Sequence, residues 1–235
     1  MRKIFLKQWF LTMLLLVASC GSMLGQNPQL HTKNGSRFPT VVFTFVLWSA
    51  NPPYYSIAID STGASTYQSA PDSVDKTGVP YTIEFQASDA TRRTTFSIAR
   101  DLNFFSGEFP TSLGFPAKEP VKTLTYHDST FNNQITFTDS TDSRIQELAS
   151  VFDEISATLE FGRRLAYSHE HAPNALASEL ASMKKDSQRH LLRELHAVAP
   201  ILRDIAADEK LPSSTREEAQ TILTTAARQS VTAGR

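Results

Sequence analysis

The 235-residue chain has one cysteine, Cys20. A lone thiol excludes any disulfide within the chain, and apart from Cys20 there is none for thiol catalysis. Acidic residues are absent before Asp60, and the one long apolar run lies between Trp9 and Ala18, broken only by Thr12. At about 1.5 Å per residue that run makes a helix of roughly 16 Å, against the roughly 30 Å of a bilayer core. It is too short for a resident membrane span. The common catalytic and cofactor motifs are missing too: no G-x-S-x-G elbow, P-loop, Rossmann glycine pattern, H-E-x-x-H or EF-hand loop occurs. No cofactor is therefore expected. Excess positive charge is also lacking, with 23 basic side chains against 24 acidic ones. Removing residues 1–19 takes three of the basic ones and leaves 20 against 24. Such a surface exerts no long-range pull on nucleic acid, which is not an expected partner.

What the N-terminus does contain is ordered like an export signal. Arg2, Lys3 and Lys7 precede the apolar run, and small residues close it. The segment Val17-Ala18-Ser19-Cys20 resembles the lipobox of bacterial lipoproteins. That resemblance implies cleavage before Cys20, a lipid on its sulfur and attachment to a membrane, with Gly21 favouring the outer one. Two or three acyl chains anchor stably where one does not. The expected location is the cell envelope facing the periplasm, with a secreted or soluble periplasmic protein as the alternative. The alternative processing, ordinary cleavage after Gly25, would discard Cys20. Residues 20–40 are rich in Gly, Asn, Gln, Ser and Pro and show no apolar period. They read as a flexible tether with a span of about 25 Å.

From residue 41 the pattern has the period of two that marks strands. Val41, Phe43, Phe45 and Leu47 alternate in a strand apolar on both sides, and Tyr55, Ile57 and Ile59 alternate in the next. Asp60-Ser61-Thr62-Gly63 reads as a hairpin turn, with Gly63 taking positive φ and Asp60 bonding nearby backbone. Two further strands follow on either side of a loop at 69–80. Ser88 is placed to cap a helix running to about Asn103. A second hairpin turns at Asp128-Ser129. Ile145, Leu148, Phe152, Ile155 and Leu159 then step 3, 4, 3 and 4, the stripe of a helix that covers a sheet. Gly162 weakens that helix and Pro173 ends it. Three shorter helices are expected over about 174–185, 188–208 (kinked at Pro200) and 213–229. The fold class is α+β: about six antiparallel or mixed strands in the order β-β-β-β-α-β-β-α, covered by helices on one face. The division is signal 1–19, tether 20–40, α+β sandwich 41–167 and helical region 168–235.

Several of these residues recur in a pattern. Tyr55-Ser56-Ile57-Ala58-Ile59-Asp60, Gly63 and Tyr67, then Asn103-Phe104-Phe105 and Thr123-Leu124-Thr125-Tyr126, make the segment 42–156 similar to a family of exported bacterial domains of unknown function. Members often carry a cysteine pair with proline before the first hairpin; Asn51-Pro52-Pro53 stands there instead. The resemblance implies a fold and an exported location but no activity.

Candidate chemistry is sparse. His169 and His171 flank Glu170 and could hold zinc or copper weakly, although no third ligand is evident, and solvated helix-end residues explain them as well. Arg189, Arg193, His196 and Arg203 would form a stripe on the 188–208 helix able to meet lipid phosphates or an acidic partner, diluted by Glu194, Asp204 and Asp208. Exposed aromatics on the uncovered sheet face are a third possibility, and core packing accounts for most of them. If the last helices paired between chains, an apolar stripe over 191–205 would be exposed. Two functions remain: a non-catalytic binding or structural module, held to the membrane by its N-terminal lipid and meeting an envelope protein, or an exported hydrolase using scattered residues such as Glu84, His127 and Asp128.

Overall fold

A computed structural model describes residues 38–70 and 81–233. The expected signal, the tether up to residue 37 (with Cys20) and most of the 69–80 loop lie outside the described residues. The elements are β1 (Thr40–Val46), β2 (Tyr54–Asp60), β3 (Ala64–Ser69), β4 (Tyr81–Gln86), α1 (Asp89–Asp101), β5 (Thr111–Ser112), β6 (Val121–His127), β7 (Asn132–Phe137), β8 (Asp139–Ser140), α2 (Ser143–His171), α3 (Leu176–Gln188), α4 (Ala199–Ala207) and α5 (Ser213–Ala233). The architecture is α+β, and six strands form one sheet in the order β4-β3-β2-β1-β6-β7. Every neighbouring pair is antiparallel. β5 and β8 form a separate two-residue pairing.

Turn chemistry fixes the hairpins. Asp60 Oδ1 accepts from Thr62 N at 2.8 Å and Ala64 N at 3.1 Å, and Gly63 sits at φ 90°. Asp128 Oδ1 does the same for Thr130 N and Phe131 N at the β6–β7 turn. A short polar side chain closes each turn, and strand register follows from it.

Alternation then sorts side chains between faces. Ile83, Tyr67, Ile57, Phe43, Leu124 and Ile135 lie in line across all six strands on the face that meets the helices. Phe43 is buried and stacks on Phe152 of α2, ring centroids 5.1 Å apart. The expected stripe of α2, from Ile145 to Leu159, is buried without exception. Each such side chain contributes about 1.5–3 kcal/mol. Gly162 has a packing role: a Cβ there would lie 2.5 Å from Val198 Cγ1. The helix backbone approaches Val198 closely only because the position has no side chain.

Asn103, Phe104 and Phe105 form a left-handed turn after α1, with φ of 49°, 54° and 62°. This conformation costs about 1–2 kcal/mol per residue. Phe104 stacks against Tyr126 and Phe131, its carbonyl accepts from Asn133 Nδ2, and Phe105 is buried. Those contacts hold the turn.

The single helix expected over 188–208 does not form. α3 ends at Gln188, His190 and Glu194 adopt φ of 59° and 62°, and Leu195–Val198 makes a short 3-10 turn before α4. Pro200 lies in the first turn of α4, where its missing N–H costs nothing, and so starts a helix instead of kinking one. Leu195, Val198, Leu202 and Ile205 are buried within the chain, leaving Leu191 exposed. The stripe that would have marked pairing between chains is therefore internal.

Candidate functional site

Three polar clusters and one sheet face are the places to look for function. The first cluster lies where the start of α1 meets residues 190–196, around a cleft of about 230 Å³. Glu194 forms its floor and is buried. Its carboxylate accepts from Ser88 N at 3.0 Å, Ser88 Oγ at 2.8 Å and Thr91 Oγ1, and His196 Nδ1 lies 3.4 Å away. The helix dipole favours a negative charge at this end of α1. The opposite nitrogen of His196, Nε2, is 2.8 Å from the Gln86 carbonyl oxygen. An acid, an imidazole and a hydroxyl meet here, but the hydroxyl donates to the carboxylate and not to the imidazole. A nucleophile relay needs the base on the hydroxyl. The arrangement caps α1 and ties the helical region to the end of β4.

The second cluster lies between the sheet and α2. Tyr55 Oη donates to Asp153 Oδ1 at 2.6 Å, with Lys122 Nζ on the other carboxylate oxygen at 2.9 Å. Two helical turns on, Tyr67 Oη donates to Glu160 Oε1 at 2.6 Å and Arg163 Nε to Oε2 at 2.7 Å. Burial, then the neighbouring carboxylate, raises both phenols well above their ordinary range. Tyr81 is pushed up to about 12 by burial and by Glu160. These phenols stay protonated and act as donors that fix α2 on the sheet.

The third cluster contains the histidines singled out as metal candidates. His169 Nε2 lies 3.0 Å from Asp208 Oδ2, whereas His171 is exposed, with its ring against Tyr167. The two rings have different partners, and among the described residues no group of three His, Cys, Asp or Glu could hold a metal ion. Asp208 is held below the usual carboxylate range by the Lys210 backbone N–H and then by His169.

The expected basic stripe is dispersed by the break in the helix. Arg189 caps the end of α3, Arg193 is bound to Glu154 at 2.9 Å, His196 faces Gln86, and Arg203 is exposed on α4. The scattered hydrolase residues are not brought together either. Glu84 is on edge strand β4 and His127 on β6, four strand spacings of about 4.8 Å away. Asp128 is engaged by backbone and by Tyr126 Oη at 2.8 Å. Tyr126 is raised to about 12 by burial, then by that bond.

The aromatics of the sheet also fall differently from an exposed recognition patch. Phe43, Phe45, Tyr55, Tyr67, Tyr81, Phe85 and Tyr126 share the helix-covered face, and Tyr54 alone lies on the other. Trp48 is exposed beyond the end of β1, its backbone N–H donating to the Pro116 carbonyl oxygen. The second sheet face carries Thr82, Gln68, Ser56, Thr44, Thr123 and Thr136 in line across six strands. The neighbouring line is Glu84, Thr66, Ala58, Val42, Thr125 and Gln134. Side chains on the outer strands of this face are exposed and those on the central strands mostly half-buried. Sequence reasoning singled out this face for exposed aromatics, whereas its actual lining was present in the sequence as threonines and glutamines at alternate positions of successive strands.

No family model matches the chain. No curated protein matches it.

Proposed function

We propose that this is an exported cell-envelope protein, held to a membrane by a lipid on Cys20, that works by binding and not by catalysis. The observation that carries the reading is the wiring of the Ser88–Glu194–His196 cleft. Both hydroxyls there donate to the carboxylate, so the chemistry-bearing groups are used to join two parts of the fold. The N-terminal basic-apolar-small pattern ending at Cys20 supports the location. The resemblance of segment 42–156 to exported domains supports it as well. The alternative, an exported hydrolase, has no comparable support, because Glu84 lies four strands away from His127 and Asp128.

The anchor is tested with Cys20→Ala. The native chain fractionates with membranes and its N-terminal peptide carries added lipid mass; the variant loses both. A variant that stays membrane-bound with an unchanged N-terminal peptide overturns the anchor. Binding is read by cross-linking in cells, where one reproducible envelope component is expected to be captured.

A further inference from the structure

We infer that the end of the sheet carrying Trp48, Leu113 and Phe115 dips into the interface of the lipid bilayer that holds the protein, so that the domain stands end-on against its own membrane. The inference rests on the membrane attachment proposed above and names the surface that meets the lipid. Among the described residues these three are the most exposed of the large apolar side chains, at 69%, 67% and 79%. They come from two loops that backbone bonds brace and join. Leu47 N donates to the Pro53 carbonyl oxygen at 2.9 Å, Lys118 N to that of Phe115 at 2.9 Å, and Trp48 N to that of Pro116 at 3.0 Å. Braced turns therefore hold these side chains out in water.

The two ends of the sheet differ in kind. On the central strands β2, β1 and β6, one end closes on Asp60, Thr40 and His127, and the end near Trp48 closes on Tyr54, Val46 and Val121. No charged residue occurs in 38–59 or in 110–117, and Lys118 and Glu119, which follow, are of opposite sign. Uncharged loops enter a bilayer interface without the cost that charged groups carry, and tryptophan is enriched there. Area and reach select the bilayer over another protein. At roughly 150–250 Å² per aromatic side chain, the exposed parts of the three come to about 450 Å², against about 800 Å² per partner in a stable protein interface. Such a patch is too small to hold a free partner. It suffices against a surface to which the chain is already tethered, because tethering makes the contact intramolecular. The chain between Cys20 and Phe38 can extend to about 60 Å, whereas β1, with 7 residues, spans about 23 Å. Cys20 and Trp48 can thus reach one surface although the chain enters the sheet at its opposite end.

The test is tryptophan fluorescence of the full chain purified from membranes and reconstituted into phosphatidylcholine vesicles. The chain has two tryptophans, Trp9 and Trp48, so Trp9→Phe leaves Trp48 as the reporter whether or not the N-terminal segment is removed. In vesicles whose acyl chains carry bromine near the headgroup, Trp48 emission falls at least twofold; in unbrominated ones it shifts to the blue and resists acrylamide. These effects persist in 1 M salt, because the contact carries no charge. Leu113→Ser with Phe115→Ser cuts the bromine quenching by at least half while circular dichroism and Tm stay unchanged; Phe115→Leu, which keeps an apolar side chain, is quenched like the native chain. A chain that floats with the vesicles while Trp48 stays unquenched and open to acrylamide overturns the inference and leaves the anchor standing. Undiminished quenching in the double variant overturns it too. A Trp48 shielded from acrylamide without vesicles, in a particle of doubled mass, overturns it in favour of a second copy. A chain that does not float overturns the anchor, and this inference with it.

Discussion

Phe43 and Thr44 are neighbours in β1, yet they belong to opposite worlds of the same sheet. Phe43 continues a line of apolar side chains across all six strands; Thr44 continues a line of hydroxyls and amides. Each member of one line is one residue away in sequence from a member of the other. The difference teaches how one strand serves a packed layer and an uncovered one at once. The covered face supplies the core and also the buried Tyr–carboxylate pairs that orient α2. The other face carries half-buried threonines and small apolar side chains on its central strands and exposed polar ones at its edges.

That division can be broken most severely at Phe43. Phe43→Ala removes a buried ring stacked on Phe152 and is expected to cost about 3–5 kcal/mol, read as a lower urea midpoint. Acidification probes the β6–β7 turn and the start of α2. Asp128 is held below the usual range by the Phe131 and Thr130 N–H groups, and Asp142 by Arg144. Their folded values are depressed, so the stability they bring is present above the unfolded value of about 3.9 and is lost as pH falls through the folded values. Urea midpoints should fall from pH 7 to pH 3, and Asp128→Asn should flatten part of that fall. The smallest effect belongs to the polar line: Thr44→Val is expected to change stability by no more than about 0.5 kcal/mol. A large loss there would show that the second face is also core.

Much of this was legible in the sequence because it is local. Period-two alternation gave the six strands of the sheet, and Asp60 and Gly63 gave the first turn. The 3-4 stepping from Ile145 to Leu159 gave the helix that covers the sheet. The break within 188–208 was not legible, because Leu191, Leu195, Val198, Leu202 and Ile205 keep a helical step across the non-helical residues between α3 and α4. Its conformation is set by Glu194, drawn to a helix start 106 residues away. Periodicity carries no information about such a partner. Gly162 was misread for a related reason: its purpose lies in Val198, on another element. The second sheet face was visible in the alternation, but without register its polar residues did not line up.

The 106-residue separation between Ser88 and Glu194 also constrains how the molecule assembles. When α1 first leaves the ribosome, the carboxylate that completes its cap has yet to follow. Bringing the two together means closing a long loop, which slows the late steps of folding. The sheet layer and α1 are therefore finished from the C-terminal side. A chain cut short before residue 194 keeps every strand but lacks the group that secures its first helix.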